Sequence, residues 1–170
     1  MIYTKNVIKC INFAEKYAKD LKDEADLPLF QNILHIAEHS TSEAETIVSL
    51  LFAFVMKDKK YLDDIRWLNL GEVIEKALIL FVNDEKDYFE YIKSIKLDNI
   101  ACVVMKKNLK QLLDKTRYIN GINEEDEKKY RKSLEILSVG GDKKDYRKEK
   151  DKYFEFYDDL KSHRHRVYDW

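Results

Sequence analysis

Residues that break helices are scarce in this chain. Among 170 residues there is one proline, Pro28, and there are four glycines. That scarcity excludes collagen-like, linker-like and turn-rich β architectures and favours long helices. Cysteine is scarce too. Cys10 and Cys102 are too few for a disulfide framework or a zinc cage. Both sit among apolar residues, which predicts buried thiols and a reducing, cytoplasmic setting. Net charge is almost absent, at −1, so no global field recruits nucleic acid or an anionic membrane. No apolar run reaches the roughly 18 residues of a spanning helix. Residues 1–5 lack the apolar stretch of a signal peptide. What the chain does have is 45% hydrophobic and 37% charged residues, the balance of one globular domain with a real core and a charged surface.

The apolar residues recur at helical spacing almost throughout. Val7, Ile8, Ile11, Phe13, Ala14, Tyr17 and Leu21 predict a first helix over about residues 4–23. Asp26 or the residues beside Pro28 open a second, running to about His39. Thr41 or Ser42 caps a third, and Glu45 stands three residues after Ser42, as in a capping box. That helix, to about Met56, is apolar nearly all round, so it belongs at the centre of a bundle. A short helix follows around Leu62, Ile65 and Leu68, and another starts at Gly71. A further one spans residues 84–95, and Asp98 caps a long helix in a unit that Asn120-Gly121 closes. Residues 124–137 form a polar helix, and Gly140-Gly141 is the clearest hinge. Beyond it, residues 141–170 predict a highly charged helix with an aromatic seam. No stretch alternates like a strand. The expected class is therefore all-α, a bundle of about eight to nine helices over residues 1–140 with an added C-terminal helix over 141–170.

Between residues 6 and 138 the spacing of several short motifs resembles the HD-domain phosphohydrolases, especially the ppGpp hydrolase type. Phe13-Ala14, then Pro28, then Ile36-Ala37 follow that family's order. So do Leu50-Leu51, the Leu62-Asp63-Asp64-Ile65 run, Gly71-Glu72-Val73, and Tyr130-Arg131-Lys132 leading to Ile136-Leu137. The resemblance implies a helical bundle with a metal-dependent phosphohydrolase site. It also implies where the metal ligands should stand, and there the chain departs. The family's first metal-binding His falls on Asn32, its His-Asp pair on Phe52-Ala53, and its last Asp near Lys107. Phe and Ala offer no donor, Asn is a weak neutral ligand, and an ammonium repels a cation. Hydrolysis of this type needs a metal to activate water and clamp phosphate. The expectation is thus a bundle that lacks the family's usual reaction and needs no cofactor.

Other constellations remain. Lys107 either points at the former metal position, where its charge can hold a phosphate or an internal acid, or snorkels from a packed face to solvent. His35 and His39 stand four apart on one helix face, and with Asp58 they form an alternative metal set for an active phosphohydrolase with relocated ligands. Tyr146, Tyr153, Phe156, Tyr157 and Leu160 form a C-terminal seam that either packs back or meets another protein, including a second copy. His163-Arg164-His165-Arg166 offers a weak nucleic-acid contact, diluted by Asp158, Asp159 and Asp169. The favoured expectation is a non-catalytic binding or regulatory protein. It would act through a pocket near Asn32, Phe52, Ala53 and Lys107, taking a nucleotide or phosphate, or through a protein interface.

Overall fold

The computed structural model describes residue 1, residues 3–83 and residues 87–139. The C-terminal seam of Tyr146, Tyr153, Phe156, Tyr157 and Leu160, the His163–Arg166 run and the Gly140-Gly141 hinge lie outside the described residues.

The protein is all-α. Among the described residues eight α-helices follow one another: α1 (Lys5–Ala18), α2 (Leu29–Glu38), α3 (Glu43–Lys57), α4 (Tyr61–Arg66), α5 (Glu72–Ile79), α6 (Tyr88–Ile95), α7 (Asn99–Leu112) and α8 (Glu124–Ser138). A 3-10 turn, Lys115–Arg117, follows α7. Among the described residues there is no strand, only an isolated antiparallel bridge between Lys22 and Pro28.

Local chemistry sets most helix starts. Thr4, Ser42, Asp87 and Asp98 each place a side-chain oxygen on the unpaired N–H groups of the turn that follows. Gly71 precedes α5 with φ of +94°, a backbone that a residue with a Cβ adopts only under strain.

α3 is the axis of the bundle. Eleven of its residues, from Glu45 to Val55, are buried. It packs against α1, α2, α4, α5 and α7, while α8 closes over α6 and α7. A helix surrounded on all sides has no use for a polar stripe, which is why its sequence has so little of one. Aromatic rings bind the layers: Phe13 meets Phe54 edge-on at 5.6 Å, and Phe52 lies 5.3 Å from Phe81.

Three boundaries differ from the sequence expectation. α1 ends at Ala18 rather than near residue 23, whereas α2 starts beside Pro28, one of the two starts the sequence offered. Asp23 is responsible for the early end of α1. Its Oδ1 accepts from the N–H groups of Ala25 and Leu27 at 2.9 and 3.1 Å, and its own N–H donates to the Leu27 carbonyl at 2.9 Å. This turn, with Asp26 left-handed at φ 63°, outcompetes further helix. α6 begins at Tyr88, because Asp87 supplies the cap. α7 ends at Leu112, where Asp114 takes the Thr116 N–H and hydroxyl.

Candidate functional site

The candidate residues Asn32, Phe52, Ala53 and Lys107 lie on α2, α3 and α7. Asn32 is on the buried face of α2 with Leu29, Ile33 and Ile36. It is 4% exposed, and its Oδ1 accepts no hydrogen bond from any described residue. Phe52 and Ala53 sit mid-way along α3. Phe52 is 1% exposed, with its ring against Phe81, so it is core rather than lining.

Lys107 extends from α7 to the turn between α2 and α3. Its Nζ donates to the His39 carbonyl at 2.6 Å and bonds the Glu45 carboxylate. Glu45 is nearly sealed, with 8% of its side chain exposed against 23% for Lys107. The Glu45 Oε2 also accepts from the Thr41 N–H at 3.0 Å and the Thr41 hydroxyl at 2.9 Å, while the Ser42 hydroxyl accepts from the Glu45 N–H at 3.2 Å. The capping box therefore exists in a shifted form: the carboxylate reaches back to the residue before the cap. Burial alone would raise the Glu45 carboxyl. The bonds from Lys107 and Thr41 outweigh it and hold the group below its ordinary value.

Lys107 thus bonds an internal acid. Glu45 and Phe52 are seven residues apart on one helix, about 10 Å along its axis. The hydrogen bonds of Lys107 go to Glu45 and His39, toward the N-terminal end of α3.

His35 and His39 are both exposed, with ring centroids 4.7 Å apart. Asp58 is elsewhere. It caps the C-terminus of α3, with its carboxylate on the Lys60 N–H at 2.9 Å, whereas His39 adjoins the other end. At 1.5 Å per residue, α3 separates them by roughly 20 Å. No group of three or more His, Cys, Asp or Glu residues stands together for a metal among the described residues.

No protein-family model and no curated protein matches this chain.

A second buried ion pair escaped the sequence reading. Asp23, its side chain fully buried, accepts from Arg117 Nη2 at 2.5 Å across 94 residues of chain, and Arg117 is 15% exposed. The buried Nη1 of Arg117 donates to no described residue. An Asp between Leu21 and Leu27 is a faint sign of such a buried carboxylate; nothing near Arg117 in sequence points to its partner. The two thiols follow expectation only in part. Cys10 is buried, and burial pushes its thiol up to about 12; Cys102 is only partly covered and is raised in the same direction by the same cause.

Proposed function

We propose that this chain is a non-catalytic binding or regulatory module, an HD-like helical bundle without the family's metal ligands. The observation that carries this reading is the Lys107–Glu45 pair. The ammonium that stands near the family's last metal carboxylate is committed to an internal carboxylate and a backbone carbonyl. Phe52 and Ala53, at the position of the family's His-Asp pair, contribute packing instead of donor atoms. Water activation by a clamped metal has no ligand set to work with at these four positions. The face of α2 and α7, or a protein interface, is then what remains for function. Trp67, 89% exposed on the turn after α4, is the kind of side chain interfaces use.

The test is phosphate release by the full chain from a panel of nucleoside polyphosphates in Mn²⁺, Mg²⁺ or Zn²⁺. No release above buffer is expected with any metal. Catalytic release would overturn the reading and favour a phosphohydrolase with relocated ligands. A thermal-shift series with the same nucleotides then separates the two binding modes: a rise in Tm at millimolar nucleotide assigns a phosphate ligand, and no rise directs attention to a protein partner.

A further inference from the structure

The exposed histidine pair on the last turn of α2 has a chemistry of its own. His39 Nδ1 lies 2.8 Å from the His35 carbonyl. A carbonyl only accepts, so Nδ1 carries the proton and Nε2 of neutral His39 keeps its lone pair facing outward. Fixing one ring nitrogen on a carbonyl so that the other is free to ligate is the standard support of a metal-bound imidazole.

The separation of the two rings is the second observation. With metal–nitrogen bonds of about 2.1 Å, a cation sits about 3.3 Å from each imidazole centre; two such rings at a right angle are then about 4.7 Å apart, and at the tetrahedral angle roughly 5.4 Å. The observed distance is 4.7 Å. The surroundings also suit a cation. The C-terminal end of α2 carries the negative end of the helix dipole, and Glu38 is exposed beside the pair. Lys107, the nearest cation bonded to this turn, is already neutralised by Glu45.

We propose that His35 and His39 form a surface site for one divalent transition-metal ion of the right-angle, nitrogen-preferring kind, Cu²⁺ or Ni²⁺, with water completing its coordination. The site differs from the alternative phosphohydrolase set because Asp58 takes no part, and it stands whether or not the binding-module reading does. A metal bridging one helical turn clamps the end of α2 and the carbonyl that Lys107 holds.

The test is calorimetric titration of the full chain with Cu²⁺, Ni²⁺ and Zn²⁺. One equivalent of Ni²⁺ should bind, with Zn²⁺ weaker. His35→Ala and His39→Ala should each weaken Ni²⁺ at least tenfold. Both side chains are exposed, so the variants should keep the wild-type circular dichroism and melting curve without metal. The chain has four histidines, and the other two are His163 and His165. A His163→Ala/His165→Ala variant should retain the site. Loss of binding in that variant, retention in His35→Ala/His39→Ala, or no binding by the wild type would each overturn the proposal. Paramagnetic broadening of the His35 and His39 ring resonances by Ni²⁺ gives an independent readout.

Discussion

Lys107 and Glu45 show how much one pair of side chains can decide. Glu45 lies almost out of reach of water, so removing its cation leaves a carboxylate that burial penalises. Lys107→Ala should destabilise the protein by about 2–3 kcal/mol, the loss expected for a buried pair discounted for the solvent that reaches Lys107. Urea unfolding measures it, and a change below about 0.5 kcal/mol would mean that the pair is a surface contact only. The pH dependence has a definite sign. The folded carboxyl titrates below its ordinary 4.5, so the pair's contribution is fully present above that value and is lost as pH falls through the lower folded value. Wild type should therefore lose more stability than Glu45→Gln between pH 6 and pH 3. Parallel losses in the two proteins would contradict the assignment.

At the scale of elements, α3 carries the fold, while the turn after α4 carries little. Phe52→Ala, removing a ring packed on Phe81, should cost about 3–5 kcal/mol. Trp67→Ala, removing a larger but 89% exposed side chain, should change stability by less than about 0.5 kcal/mol. Chemical denaturation of both variants checks the contrast, and a comparable loss in Trp67→Ala would show that this ring is covered in solution. The elements were legible where their signals are local. Ser42 and Asp98 sit within three residues of the N–H groups they satisfy, and Glu45 within four, so the starts of α3 and α7 follow from the sequence. The apolar circumference of α3 likewise announces its central position. The end of α1 was not legible, because Asp23 chooses turn over helix with help from a guanidinium 94 residues away. The candidate site divides the same way. Burial of Asn32, Phe52 and Ala53 follows from their apolar neighbours. The partner of Lys107 does not, since Glu45 reads equally well as a capping residue alone, and the separation of Asp58 from the two histidines appears only once α3 has a direction.

For the molecule as a whole, the contact between Asp23 and Arg117 ties the loop after α1 to the turn after α7. Asp23→Ala orphans a guanidinium and two backbone N–H groups, and Arg117→Ala orphans a carboxylate with no exposure at all. Each should cost about 3 kcal/mol or more. The double variant should cost less than the sum by at least about 1 kcal/mol, because the second substitution removes a charge that the first left stranded. Additive losses in a urea double-mutant cycle would show that the two residues stabilise the fold independently. The same contact has a consequence for biosynthesis. A growing chain exposes Asp23 early, but its counter-charge is not made until seven helices have been translated. The ion pair of the loop between α1 and α2 therefore waits for Arg117 to clear the ribosome, and the N-terminal half emerges with a carboxylate that it has no cation of this pair to neutralise.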